Sequence, residues 1–159
     1  MPVVRLGLGD APFSVLLPAL IASGVASAVQ RGLLNFEAVA VRPTPLLFRA
    51  TIVGVTLGVA LIVTAIGGVP LATVTIRNLA GYLGAALLAL RLVGGVAALV
   101  VAPASAVAAS VLGSDDSIVW WVLHPASHWP STAVASLLFL VGGWAGTSRT
   151  TMRARAGPD

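Results

Sequence analysis

The sequence contains no cysteine, no lysine and a single glutamate, and only 9% of its 159 residues are charged. The lack of cysteine excludes disulfides, thiol catalysis and zinc–thiolate sites. A water-soluble domain carries roughly a quarter charged residues, so this chain has too few to cover a globular surface. These absences exclude a soluble core with a polar shell.

Long apolar runs of Leu, Val, Ala and Ile, interrupted by glycine, make up most of the chain. Hydrophobic residues account for 58% of the sequence, and its mean hydropathy is +1.02. The runs show no alternation with polar residues, which a membrane barrel would need, and so they favour helices. The sequence predicts an all-α, polytopic transmembrane helical bundle of about five spans in a bacterial cytoplasmic membrane, one of them short or re-entrant.

The first predicted span covers residues 11–29, about the length that crosses a bilayer core. A secretory signal peptide is an open alternative, because Ala26, Ser27 and Ala28 resemble a cleavage site. The second span begins near Pro45 or Ala50 and continues to residue 67. There the segment 67–70, Gly-Gly-Val-Pro, should break or kink the helix.

The apolar stretch 77–113 is too long for one span and is divided by Arg91 and the pair 94–95. The first of its two predicted helices places Arg77, Gly81, Gly84 and Arg91 on one face. This helix of about 14 residues would rise only about 21 Å, so it could span, tilt, be re-entrant or lie at the interface. The second helix runs over 92–112.

The segment 113–130 is a polar and aromatic loop that holds three tryptophans, and tryptophans are typical of the membrane interface. The last span covers 131–146, so a transmembrane domain of residues 1–148 precedes a short basic tail, 149–159. All nine basic residues are arginine, and they lie between apolar runs. Their distribution predicts an N-terminus outside and a cytoplasmic C-terminus, and it favours no nucleic-acid partner.

Chemistry-bearing residues are few. His124 and His128 are four residues apart, but Pro125 disfavours a regular helix, and a third metal ligand could come only from Asp115 or Asp116. Interfacial histidines are therefore favoured over a metal site. No nucleotide-binding motif is present, and no carboxylate lies within a span. The sequence predicts neither an enzyme nor a cofactor, and it disfavours an autonomous secondary transporter.

Arg77 and Arg91 have two interpretations. They could anchor the two ends of a helix at opposite interfaces, which is favoured, or they could pair with Glu37, a partner's acid or a phospholipid headgroup. The sequence alone leaves both interpretations open.

Four segments form a recognisable combination: 77–84 (RNLAGYLG), 90–94 (LRLVG), the loop with Trp120, Trp121, His124 and Pro125, and the loop with Asn35, Phe36, Glu37, Arg42 and Pro43. Together they resemble small actinobacterial membrane proteins of the ABC-transporter-permease type. The resemblance implies a membrane component of an exporter whose ATPase is a separate chain, or an accessory protein beside one. It marks as motif positions Arg77, Asn78, Tyr82, Arg91, Glu37 and Arg42. The expected partners are the lipid bilayer, further copies of the chain or the ATPase subunit.

Overall fold

The computed structural model describes the backbone of residues 3–6, 9–36, 44–112, 121–125 and 127–147. A short antiparallel hairpin, β1 (Val3–Leu6) and β2 (Gly9–Pro12), precedes the helices α1 (Phe13–Phe36), α2 (Thr44–Leu92), α3 (Gly95–Leu112) and α4 (Trp129–Thr147). The all-α prediction is confirmed for the body of the chain. The hairpin was not expected, because four-residue strands are too short to leave a periodic pattern.

Helix α2 has 49 residues and is broken at one position, Gly68, with φ 73° and ψ −178°. This confirms the predicted break in the segment 67–70. Only glycine adopts such a positive φ without strain. Pro70 then lies in the first turn of the second half, where a missing N–H costs nothing.

The predicted short helix that begins at Arg77 is wrong. The helical segment already starts after Gly68 and runs over 69–92, a rise of about 36 Å. The described residues form four helices, which does not match a count of about five spans. Two of these helices, Ile52–Leu92 and Gly95–Leu112, are long and apolar enough to cross a membrane.

Three helical segments, α1, the second half of α2 and α4, run side by side in the same direction. Near the start of α1, the carbonyl of Ser14 accepts a hydrogen bond from Asn78 of α2. Further along, Ala26 of α1 packs with Ala86 of α2 and Ala98 of α3. Only two residues, 93 and 94, connect α2 to α3, and α3 therefore returns along α2. Helix α4 follows the second half of α2, as their glycine contacts show.

Gly84 of α2 and Gly142 of α4 bring these two backbones into direct contact. A Cβ at Gly84 would overlap the carbonyl of Leu138, and one at Gly142 would overlap the carbonyl of Gly84. Small residues of this kind allow closer helix approach than any side chain permits. The face of α2 that the sequence assigned to Arg77, Gly84 and Arg91 is therefore the face that packs on α4.

Large apolar side chains cover much of the outer surface. Leu61 is 73% exposed, Ile66 79%, Val96 78% and Leu140 68%. The interior holds smaller residues, such as the four buried alanines 98, 102, 106 and 109 along one face of α3. Many large aliphatic groups therefore lie outside, while the interior combines alanines with a few large side chains such as Leu79, Tyr82 and Leu83.

We expect Gly84→Ala to destabilise the fold by about 1–3 kcal/mol, because the new methyl group would force α2 and α4 apart. The matched control is Gly54→Ala in the same helix, since a Cβ there meets nothing within 4 Å. Unfolding in detergent by SDS titration measures both. Equal stability of the two variants would contradict the close contact.

Candidate functional site

Arg77 lies inside the protein, with 5% of its surface exposed. Its Nη2 donates to the carbonyl of His124 at 2.8 Å, and its Nη1 donates to the carbonyl of Pro125 at 3.0 Å. Nε and Nη2 both donate to Oδ1 of Asn78 at 3.2 Å. The guanidinium therefore points inward to neutral oxygens and does not snorkel to the surface.

Asn78 is fully buried and links three parts of the chain. Its Nδ2 donates to the carbonyls of Ser14 at 3.1 Å and Val122 at 3.0 Å, while its Oδ1 accepts from Arg77. Both hydrogens of the amide and its oxygen are thus used. This buried polar cluster holds the start of α1, the middle of α2 and the loop 121–125 together.

The loop 121–125 is irregular, as Pro125 predicted, and it is seated by an aromatic contact. Trp121 packs directly over Gly81, where any Cβ would overlap the indole ring. The Trp121 ring also lies 5.7 Å from the Tyr82 ring, tilted by 52°. The glycine four residues after Arg77 therefore makes room for the loop that Arg77 binds.

His124 and His128 stack face to face, with ring centroids 4.1 Å apart and an interplanar angle of 20°. Nδ1 of His128 lies 2.7 Å from the hydroxyl of Ser131, which is fully buried at the start of α4. Within the described part of the chain no group of three potential metal ligands is found. Asp115 and Asp116, the predicted additional ligands, lie outside the described residues.

The pKa of His128 is lowered, first by desolvation and then by the neighbouring His124 and the charge of Arg77. The neutral imidazole is therefore favoured in the folded protein.

The hydroxyl of Tyr82 has no hydrogen-bond partner among the described residues, although the side chain is 1% exposed. Buried phenols normally have a partner. Tyr82 contributes to the site mainly through its ring, which supports Trp121.

Arg91 lies in the last turn of α2 and contacts the end of α4. Its Nη1 donates to the carbonyl of Ala145 at 2.9 Å, and its guanidinium carbon lies 5.9 Å from the Trp144 ring. Arg77 thus binds the loop that leads into α4, and Arg91 binds the last turns of α4. The two arginines mark the limits of the part of α2, residues 77–91, that is held against the loop and α4.

Glu37 and Arg42 belong to the segment 37–43, which lies outside the described residues. The sequence brought Arg77, Asn78 and Tyr82 together correctly as neighbours on one element. It missed Ser14, Ser131 and Val122, because two of these act through backbone carbonyls, which every residue has. Of these contacts, only the one between Trp121 and Gly81 was indicated by the sequence, because Gly81 lies on the same helix face as Arg77.

A half-open groove of 330 Å³ lies between α2 and α4 beside Arg77. Thr73, Ile76, Arg77 and Ala80 form its α2 wall, and Thr132, Ala135 and Ser136 form its α4 wall. Three of these residues carry hydroxyl groups. The groove combines an apolar floor with a buried cation and hydroxyls at its rim.

We expect Asn78→Ala to lower the free energy of unfolding by about 2–4 kcal/mol, because it leaves buried carbonyls and guanidinium hydrogens unpaired. Thr64→Val is the control, since its exposed hydroxyl bonds only to Ala60 in its own helix. The SDS midpoint in detergent measures both variants. A loss no larger than that of Thr64→Val would show that the cluster is not needed for the fold.

The lowered pKa of His128 predicts that acid destabilises the protein. As pH falls below the unfolded value of about 6.5, the unfolded chain binds a proton before the folded one does, so stability decreases. Thermal unfolding of wild type and His128→Gln between about pH 7.5 and pH 5.5 measures the effect. The wild type should lose more stability than the variant over this window. Parallel curves would contradict the assignment.

Comparison of the chain with family models, curated proteins and solved structures finds no match.

Proposed function

We propose that the chain is a non-enzymatic integral membrane subunit, a permease-like component of an ATP-driven exporter whose ATPase is a separate chain. The observation that carries the membrane location is the outer surface of large aliphatic side chains. So many exposed large aliphatic side chains are unusual for a soluble protein and suit contact with lipid tails.

Hydroxyl groups on the helices support the same environment. Thr64 and Thr73 are exposed, yet each donates to the carbonyl four residues earlier, at 2.6 and 2.9 Å. Thr56 and Ser110 do the same. Such bonds satisfy a hydroxyl without water, which a hydrocarbon environment requires.

Five crossings follow if the two halves of α2 cross separately. A straight helix of 49 residues would be about 74 Å long, more than twice the thickness of a hydrocarbon core of about 30 Å. The parallel course of α1, the second half of α2 and α4, with α3 returning, supports alternate crossings. An outside N-terminus and a cytoplasmic tail then place Arg77 in the outer half of the bilayer and Arg91 at its cytoplasmic side.

The permease-like part of the proposal rests on the resemblance of the segments 77–84 and 90–94 and on the absence of a nucleotide-binding motif. The groove between α2 and α4 opens to the surface. A transport pathway would therefore need a second copy or a partner. We propose that the chain acts as a homo-oligomer or beside an ATPase subunit.

A structural or assembly subunit of another membrane complex is the second candidate. It is favoured by one observation: Arg77 and Arg91 both bind backbone carbonyls that position α4. Arginines used in this way stabilise the packing of α4, a role that needs no transported substrate.

Affinity purification of the full chain from native membranes in mild detergent, with mass spectrometry, tests the exporter proposal. A nucleotide-hydrolysing subunit should co-purify in stoichiometric amount. The charge reversal Arg42→Glu should reduce its recovery, because the five-span arrangement puts the segment 37–43 on the cytoplasmic side. Ser105→Ala, within α3, is the control. Repeated recovery of the chain without an ATPase would favour the structural candidate.

A further inference from the structure

We propose that the groove between α2 and α4 binds the headgroup of an anionic phospholipid, with the phosphate at its hydroxyl rim and an acyl chain along its apolar floor. The proposal rests on the membrane location but not on the permease function, so the two can fail separately.

The first argument is the charge of Arg77. Arg77 is 5% exposed, and within the described part of the chain its guanidinium donates four hydrogen bonds of 3.2 Å or less to three neutral oxygens, Oδ1 of Asn78 and the carbonyls of His124 and Pro125. They leave one of its five N–H groups, on Nη1, without a partner in the described part of the chain. Among the described residues this buried cation is held by dipoles alone, and such a cation attracts an anion that can approach it.

The second argument is the position of the groove. Helix α4 begins at Trp129 with no acidic residue in its first turn, so its N-terminal end adds to the positive potential. Thr132 and Ser136 lie about 5 and 10 Å along α4 from its start, on the same face. Trp129 is 76% exposed beside them, as expected for a residue at headgroup level.

The third argument is the shape and chemistry of the lining. The groove has 330 Å³ and is formed mostly by aliphatic groups, which a purely polar anion would not match. Thr132 and Ser136 provide hydroxyls that can donate to phosphate oxygens. An amphiphilic anion fits both parts, and a phospholipid is the abundant one in a bilayer.

The experiment measures lipid retention by the full-length protein with native mass spectrometry and with nanodiscs of defined composition. Phosphatidylglycerol is compared with phosphatidylcholine, which has the same chains and no net charge. Wild type should prefer phosphatidylglycerol. The double variant Thr132→Val/Ser136→Ala should weaken its binding by about tenfold, because the hydrogen bonds to a charged phosphate are lost.

The matched control is Thr64→Val, which removes an exposed hydroxyl of α2 outside the groove and should leave the preference unchanged. Both altered residues of the double variant lie near the surface, so folding should survive. Arg77→Lys gives a second reading, since it keeps the charge and loses the forked geometry.

Three outcomes would overturn the proposal. The first is no preference for phosphatidylglycerol in wild type, or the same preference in the double variant. The second is displacement of the lipid by millimolar inorganic phosphate, which would make the groove a free-anion site. The third is a preference that appears only in Asp115→Asn/Asp116→Asn, which would mean that one of these acids neutralises Arg77.

Discussion

A buried guanidinium has to be surrounded by acceptors, and the arrangement around Arg77 meets that requirement with groups from several elements. Desolvating a cation is costly unless its hydrogen bonds are replaced. Here the carbonyls of His124 and Pro125 and the amide of Asn78 replace them. Because the carbonyls belong to a loop 47 residues away, the loop and α2 cannot move apart without exposing an unpaired charge.

Close packing on the rest of the same helix face depends on this attachment. Gly81 admits the Trp121 ring, Gly84 meets the backbone of α4, and Arg91 binds the carbonyl of Ala145. The first contact fixes the loop 121–125 on α2, and the other two require α4 to lie close against α2. This face of α2 therefore forms one continuous interface, with Arg77 and Arg91 at its two ends and the backbone contact of Gly84 between them. The groove beside Arg77 is where the helices diverge from this contact.

Sequence patterns predicted the local features well, since these depend on nearby residues. The Gly68 break follows from a Gly-Gly-Val-Pro segment, and the irregular loop follows from Pro125. The prediction that a helix starts at Arg77 was wrong for a related reason. Pro70 is equally compatible with the end of one helix and with the first turn of the next. Periodicity placed Arg77, Gly84 and Arg91 on one face but could not say what covers that face.

Composition and hydropathy alone determined that the chain is helical and apolar on its outside, because backbone polarity leaves few alternatives for such a sequence. The tertiary structure decided the roles of individual polar groups. An arginine in an apolar helix can reach outward to an interface or inward to carbonyls. The choice depends on which backbone atoms lie within about 3 Å, a relation between residues far apart in sequence. Backbone carbonyls carry no residue-specific signal, so the acceptors of Arg77 become visible only when the chain is folded.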